Sequence, residues 1–276
     1  MRVKVCSLTD QDFDTKFQKS LIETGFAVVT NHSLDYGLIR EAQYAWRSFF
    51  LSDDPYKLAY KNSVDPNMGY TALGGEKAVG AQVADIKQFF HWKPWQSLPP
   101  EVDHITVSLY EVLEGSISRK LLNALKGIGG NLDYSEVCQN SSNTLLRALY
   151  YPALNTCKSQ EGAVRAAEHE DINFLTLLVA ASAPGLQVLD SQGNWLDVPF
   201  EENSIIVNIG DSLQLASGGK LKSTTHRVVN PENIDTDRVS IPLFVHPRPD
   251  TILVPGVTAQ QFLAQRLNEI YKGGYK

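Results

Sequence analysis

The sequence has little of several features that mark particular classes of protein. It contains 3 cysteines, which are too few and too widely spaced for a disulfide framework or a thiolate metal site. Its net charge of −6 leaves no basic excess to neutralise the phosphates of a nucleic acid. It also lacks both an uninterrupted apolar run of membrane-spanning length and the pattern of a signal peptide. We therefore expect a cytoplasmic protein that binds neither nucleic acid nor membranes.

The patterning along the chain predicts one compact α+β unit. The 276 residues, 43% of them hydrophobic, are enough for a sizeable core. Helix and strand patterns alternate at first, with one helix that ends at Gly25 and a long helix over residues 101–126. After Asn143, short β-rich runs separated by turn residues predict a sandwich or barrel. We expect an N-terminal segment, residues 1–132, packed on a β core, residues 133–276, that ends in a helix.

Three residues have the chemistry of a metal site. His169 and Asp171 lie two positions apart in the run AEHEDINFLTLL, so in an extended chain they project from one face and can reach the same ion. His226, in the later run THRVV, offers a third ligand. Two imidazoles and one carboxylate suit a mid-series divalent metal, as in the non-haem Fe(II) oxygenases. A His-x-Asp pair also arises by chance, so structural histidines are the alternative that the spacing leaves open.

A second pattern indicates an anion site. Arg238 and Ser240 share one face of the strand-like run RVSIPLFV. An arginine between apolar neighbours is costly to bury unless an anion meets it. Its planar guanidinium can bind a carboxylate through two hydrogen bonds, and a serine hydroxyl can add a third. The position of this pair shortly after His226 favours an anion site over a surface arginine on an edge strand.

The order of these motifs resembles the isopenicillin N synthase-like branch of the Fe(II)/2-oxoglutarate-dependent dioxygenases. In the second half, the matching stretches are HEDINFLTLL, PGLQVL, NSIIVNIGDSLQLASGGKLKSTTHRVV and RVSIPLFV. Upstream, GFAVVTNHSLDYGLIREAQYAWRSFF resembles the N-terminal segment of that family. GYTALGGEKAVGAQVADIKQFF resembles its substrate-side loop and the helix that follows. The resemblance implies a double-stranded β-helix, or jelly-roll, core with flanking helices, in which His169, Asp171 and His226 bind Fe(II).

The resemblance also implies a cosubstrate site. Arg238 and Ser240 match the pair that binds the far carboxylate of 2-oxoglutarate, and Tyr151 matches a tyrosine that hydrogen-bonds a cosubstrate or substrate carboxylate. Many members carry asparagine two residues before this tyrosine, where the present chain has Leu149, so one hydrogen bond to 2-oxoglutarate is expected to be missing. The implied enzyme oxidises a small molecule with O2, by hydroxylation, desaturation or a related reaction, and releases succinate and CO2.

Two other functions are compatible with parts of this pattern. An oxidase of the isopenicillin N synthase type uses Fe(II) and O2 without 2-oxoglutarate, and in it Arg238 would bind the substrate's own carboxylate. A non-catalytic binding protein is disfavoured because all three ligand residues are present. Nothing in the sequence indicates an oligomeric state.

The sequence also offers candidates for a substrate pocket, which are Tyr70, Phe89, Trp92, Asn173 and Phe244. For the aromatic residues among them, packing in the core is an equal alternative. Arg147 could bind a substrate anion or form an ordinary ion pair.

Overall fold

A computed structural model describes residues 2–65, 67–77, 82–157, 161–179 and 181–274. In these ranges the strands are β1 (Lys4–Ser7), β2 (Phe26–Thr30), β3 (Gly69–Thr71), β4 (Gln88–Trp92), β5 (Leu145–Tyr151), β6 (Ala166–His169), β7 (Leu175–Val179), β8 (Leu186–Leu189), β9 (Trp195–Asp197), β10 (Ile205–Ile209), β11 (His226–Val228), β12 (Arg238–Val245), β13 (Ile252–Val254) and β14 (Val257–Thr258). The helices are α1 (Phe13–Thr24), α2 (Tyr36–Leu51), α3 (Asp54–Leu58), α4 (Pro100–Val112), α5 (Arg119–Asn123), α6 (Tyr134–Cys138), α7 (Asp211–Ala216) and α8 (Ala259–Gly274).

Two facing sheets form the centre of the molecule. The larger has the strand order β1-β2-β10-β7-β12-β5-β4-β3, and the smaller has the order β6-β11-β8-β9. A hydrophobic cluster lies between them and draws on both, with Leu149 and Tyr151 from β5, Val188 from β8 and Val228 from β11. Apart from the parallel pair β1 and β2, the paired strands are antiparallel among the residues described. This is the predicted jelly-roll arrangement.

The other face of the large sheet is covered by helices. Phe17 of α1, Trp46 of α2 and Leu109 of α4 share one buried cluster with Phe90 of β4 and Leu177 of β7. Because successive side chains of a strand point to opposite faces, the central strands supply both this core and the interior between the sheets. The layers therefore have the predicted α+β character. No helix within the described ranges is long and apolar enough to span a membrane.

The N-terminal part of the chain is built into the large sheet. Strands β1 and β2 occupy one edge of it, and β4 and β3 occupy the other. Residues 1–132 therefore extend the sheet as well as covering it. The division into residues 1–132 and 133–276 stays a proposal, because strands from both sides of that boundary pair with one another.

Local sequence signals predict several boundaries and miss others. The runs FAVVT and LLRALYY are β2 and β5 as expected. Gly25 ends α1 with φ 73°, and a Cβ there would lie 2.2 Å from Thr224 Oγ1, so glycine is required. The long helix predicted over residues 101–126 is α4, a π-helical segment (Leu113–Ser118) and α5.

The prediction of a helix after the substrate-side loop is wrong. Gln88–Trp92 form strand β4, which lies between β3 and β5 and is buried at all five positions. A strand buried on both faces carries no polar–apolar alternation, so its pattern cannot be distinguished from that of a short buried helix. Residues 78–81, which belong to the predicted loop, lie outside the described residues.

Candidate metal centre and cosubstrate site

The structure brings the three predicted metal ligands together. His169 ends β6 and His226 begins β11, and the two residues are directly opposite in the antiparallel pairing, with ring centroids 4.3 Å apart. Asp171 joins them, and the ligand atoms of all three lie within 4.8 Å of one another. The run AEHEDINFLTLL is not one strand, since β6 ends at His169 and β7 begins at Leu175. Asp171 therefore reaches the histidines from the connecting loop.

Backbone carbonyl groups orient both imidazole rings. Nδ1 of His169 donates to the carbonyl of Ala167 at 2.8 Å, and Nδ1 of His226 donates to the carbonyl of Thr224 at 3.0 Å. Because a carbonyl can only accept, Nδ1 of each ring carries a proton, and Nε2 is the ring nitrogen left to face a metal. The two Nε2 atoms lie 3.9 and 3.8 Å from Oδ1 of Asp171. The three free ligand atoms thus converge on one point.

The second carboxylate oxygen of Asp171 is held by the protein. Its Oδ2 accepts hydrogen bonds from Oγ1 of Thr176 at 2.5 Å and Nδ2 of Asn208 at 2.8 Å. Asn173, expected in the substrate pocket, is buried in the same group and donates through Nδ2 to Thr176 Oγ1 at 3.1 Å. Asn208 is a residue of this site that is not among the predicted site residues. A polar residue within the apolar strand β10 is the signal that indicates its contact with Asp171.

The protonation states also suit a divalent metal. Desolvation, and next the adjacent His226, lower the pKa of His169 to about 4. Burial raises the pKa of Asp171, but the two histidines and the hydrogen bonds to its carboxylate lower it more, so the net shift is downward. At neutral pH the site therefore offers a neutral imidazole at His169 and a charged carboxylate, which are the forms that ligate metals. Two imidazole nitrogens and one carboxylate oxygen fit Fe(II).

The residues predicted to bind the distal carboxylate also lie together. Arg238 is opposite Tyr151 in the pairing of β12 with β5, and its Cζ is 5.0 Å from the tyrosine ring centroid. Arg238 and Ser240 are each 1% exposed, and Nη1 of Arg238 and Oγ of Ser240 have no hydrogen-bond partner among the described residues. Arg238 Nε donates to the carbonyl of Ala183 at 3.0 Å. A buried guanidinium without a carboxylate partner is unfavourable, so these atoms fit an anionic ligand.

The aromatic candidates divide between the two faces of the large sheet. Phe89 belongs to the cluster between the sheets, and Phe244 shares the face of Arg238 and Ser240 on β12. Both rings approach the guanidinium of Arg147, at 4.4 and 5.7 Å from its Cζ. Tyr70 and Trp92 instead pack in the helix-side core. A role for these two residues in the substrate pocket stays a prediction.

A network of charges that the sequence does not reveal surrounds Arg147. Nη2 of Arg147 lies 3.1 Å from Oε1 of Glu76, and its Nε donates to Nε2 of His91. Nζ of Lys87 lies 2.7 Å from Oε2 of Glu76 and 2.8 Å from Oδ2 of Asp85. Although burial opposes it, the charges of Arg147 and Lys87 hold the pKa of Glu76 far below its ordinary value. Of the two interpretations of Arg147, the structure shows the ion pair.

This network leads to a pH-dependent prediction. Glu76→Gln should destabilise the protein at neutral pH by about 2 kcal/mol, because Lys87 and Arg147 lose their shared carboxylate. The loss is smaller than for a fully buried ion pair because solvent reaches part of Glu76. Since its pKa is lowered in the folded state, Glu76 stabilises the fold above the ordinary carboxyl pKa of 4.5, and this contribution fades as the pH falls below that value. The unfolding free energies of the wild type and Glu76→Gln, measured with urea at about pH 7 and about pH 3.5, should differ less at the lower pH. Glu111→Gln, which changes an exposed carboxylate, is the control and should have the unfolding free energy of the wild type at both pH values. A loss of stability in Glu76→Gln that does not depend on pH would contradict the prediction.

Comparison with known proteins decides what this site belongs to. The family profile of the 2OG-Fe(II) oxygenase superfamily matches residues 142–247. A second family profile, described as "non-haem dioxygenase in morphine synthesis N-terminal", matches residues 5–108. The crystal structure of a Shewanella oneidensis protein that was assigned as an oxygenase has a TM-score of 0.85 and 36% identity, and the match covers 98% of this chain and 99% of that chain. The chain belongs to the 2OG-Fe(II) oxygenase superfamily.

Two further relatives of this oxygenase have named activities or ligands. A bi-functional coumaroyl CoA and feruloyl CoA ortho-hydroxylase from Ipomoea batatas is 29% identical, with the match covering 90% of this chain and 69% of the relative. The crystal structure of JOX2 in complex with 2OG, Fe and JA is 27% identical with a TM-score of 0.75, and the match covers 99% of this chain and 89% of that chain. The oxygenase is thus a non-haem Fe(II)/2-oxoglutarate-dependent dioxygenase with a jelly-roll core. The predicted family, fold, cofactor and cosubstrate are confirmed, and the oxidase alternative finds no support.

Proposed function

We propose that the oxygenase binds its catalytic Fe(II) through Nε2 of His169, Oδ1 of Asp171 and Nε2 of His226. The observation that carries this assignment is the convergence of three ligand atoms within 4.8 Å, each on a side chain whose other polar atom is hydrogen-bonded to the protein. These bonds fix the tautomers of the histidines and the orientation of the carboxylate before a metal arrives. An ion held by these three residues would keep further coordination positions for cosubstrate and O2.

We propose that Arg238, Ser240 and Tyr151 bind the distal carboxylate of 2-oxoglutarate. The unpartnered Arg238 Nη1 and Ser240 Oγ supply buried donors, and the shared strand pairing places Tyr151 beside them. Leu149 lies opposite Ser240 and offers no side-chain polar atom to the cosubstrate. When bound, Fe(II) and 2-oxoglutarate supply the oxidising chemistry, which consumes O2 and yields succinate and CO2. The chain contributes ligand placement and the apolar interior between the sheets.

We further propose that the substrate is a small molecule oxidised beside Phe89 and Phe244. Both rings face the same side of the large sheet as Arg238, and Asn173 acts behind Asp171 instead of in the pocket wall. The related hydroxylase supports hydroxylation as one outcome, and desaturation and related oxidations are the others. A cytoplasmic location, with neither nucleic acid nor membrane as partner, stays part of the proposal. Free cysteines at positions 6, 138 and 157 support it, since unpaired thiols are typical of reducing compartments.

Succinate formation tests the proposed chemistry. Protein loaded with Fe(II) without O2, and then given O2 and 2-oxoglutarate, should release succinate and CO2 in equal amounts. Turnover should be slow without the prime substrate and should stop when a chelator removes the metal. Binding of 2-oxoglutarate without any succinate formation in the presence of Fe(II) and O2 would contradict the proposal.

The residues behind Asp171 carry a separate prediction. Thr176→Val and Asn208→Ala should each lower the affinity for Mn(II) or Fe(II) by about 10- to 100-fold, because each removes a hydrogen bond that orients the Asp171 carboxylate. Calorimetric metal titration without O2 measures this. Thr106→Val is the matched control, because it removes a buried hydroxyl that accepts a hydrogen bond from Nε1 of Trp46 on the helix side. Wild-type metal affinity in Thr176→Val and Asn208→Ala would contradict the prediction.

A further inference from the structure

A second arginine lies buried next to the proposed cosubstrate site, and the function described so far does not use it. Arg165 immediately precedes β6 and is 0% exposed. Its Nη2 donates to the carbonyl of Thr236, but Nε and Nη1 have no hydrogen-bond partner in the described part of the chain. Two of its three guanidinium nitrogens are therefore buried donors without an acceptor, which is costly for a cation.

Arg165 and Arg238 lie around the same aromatic ring. Their Cζ atoms are 6.0 and 5.0 Å from the ring centroid of Tyr151. The carbonyl that Arg165 contacts belongs to Thr236, two residues before Arg238, so both guanidinium groups lie at the beginning of β12. Burial, and next the charge of Arg238, lower the pKa of Arg165. The charge of Arg238 therefore makes burial of a charged Arg165 less favourable.

No carboxylate of the described residues forms a salt bridge with either arginine. The nearby acid Asp237 is engaged elsewhere, since its Oδ2 lies 2.6 Å from Nε of Arg47 and accepts a hydrogen bond from the Tyr150 hydroxyl at 3.0 Å. Two buried like charges and three unpartnered guanidinium nitrogens thus share one region without a counter-ion. Such an arrangement is suited to an anion that enters as a ligand.

We propose that Arg165 is a second binding residue for the distal carboxylate of 2-oxoglutarate, beside Arg238. This inference rests on the proposed placement of that carboxylate at Arg238 and Ser240. The carboxylate gives both guanidinium groups the counter-ion that the protein does not provide. Arg165 thereby increases the preference of the site for a 2-oxo acid with two carboxylates over one whose far end is uncharged.

The test compares two ligands that differ only at the far end. 2-Oxopentanoate has the carbon chain and keto acid group of 2-oxoglutarate but lacks the distal carboxylate. Dissociation constants for both acids are measured by calorimetry on the full chain loaded with Mn(II), for the wild type, Arg165→Met, Arg165→Gln, Arg165→Lys and Arg238→Met. Arg40→Met is the control, because it removes a surface arginine that lies over the ring of Tyr36 at 5.9 Å.

Arg165→Met and Arg165→Gln should weaken 2-oxoglutarate binding by about tenfold or more, through loss of an attractive charge in a buried site. Binding of 2-oxopentanoate should stay within about twofold of the wild type, since it has no charge at that end. Arg165→Lys keeps the charge and should recover most of the affinity for 2-oxoglutarate. Arg165→Gln keeps a polar side chain at this position and serves the same purpose should the methionine variant fail to fold.

Equal losses for both acids would overturn the inference, because they would show that Arg165 only supports packing. Unchanged binding of 2-oxoglutarate in Arg165→Gln would overturn it as well. A different result is expected if the proposed placement of the distal carboxylate at Arg238 and Ser240 is itself wrong. Arg238→Met would then also leave the affinity for 2-oxoglutarate unchanged. A loss in Arg238→Met without one in the Arg165 variants would overturn the inference alone and leave the proposed function standing.

Discussion

Asp171→Ala should abolish turnover and weaken Fe(II) binding by more than about a hundredfold, because loss of a direct ligand exceeds the cost of losing a residue that only orients one. Asp171 supplies the only carboxylate oxygen among the described atoms that converge on the proposed metal position. Its side chain lies in a loop between β6 and β7, outside both hydrophobic clusters, so the fold should persist. Anaerobic titration with Fe(II), combined with circular dichroism, measures both parts of this expectation.

Glu168→Ala is the matched control for this variant. Glu168 is an exposed carboxylate on the same strand as His169, and its neighbour at 4.0 Å is Arg227. Its removal should leave metal affinity and turnover at the wild-type level. If Asp171→Ala retained wild-type activity, Asp171 would not be a ligand of the catalytic metal.

Arg238→Met should weaken 2-oxoglutarate binding by roughly two to three orders of magnitude. Removing one partner of a buried ion pair costs about 3–5 kcal/mol, and each 1.4 kcal/mol is a factor of about ten in affinity. Arg238 is 1% exposed, so solvent cannot replace the lost guanidinium. Arg238→Lys should restore only part of the affinity, because an ammonium group cannot make the paired hydrogen bonds of a guanidinium.

Metal affinity should not change in Arg238→Met, since Arg238 is not among the three converging ligand residues. Arg248→Met is the matched control, because its guanidinium pairs with the exposed Glu136 at 3.1 Å, and such surface pairs contribute little. Binding of 2-oxoglutarate to Arg238→Met with wild-type affinity would show that the distal carboxylate lies elsewhere.

The sequence predicts the parts of the structure that depend on local pattern. Strand β12 and the histidines of the site are recognisable because residue type and spacing carry the signal within a few positions. Prediction from local pattern fails for β4, because both faces of this strand are buried. Phe90 packs in the helix-side core, and Phe89 packs between the sheets. Only the partner strands decide that Phe89 lies in the interior between the sheets.

The missed residues depend on contacts between distant parts of the chain. Glu76, Lys87 and Arg147 lie on three separate segments and meet because β4 pairs with β5. Arg165 is similar, because its relation to Arg238 follows from the arrangement of β5, β6 and β12 around Tyr151. A single sequence contains no local signal for such pairs, since neither spacing nor periodicity links their members.

The most direct test of the site is a crystal structure of the protein grown without O2 in the presence of Mn(II), as a stand-in for Fe(II), and 2-oxoglutarate. The metal should be bound by Nε2 of His169, Oδ1 of Asp171 and Nε2 of His226. The distal carboxylate of 2-oxoglutarate should lie against the Arg238 guanidinium and the Ser240 hydroxyl. A metal held by other residues, or a 2-oxoglutarate whose distal carboxylate lies away from Arg238, would contradict the proposed function.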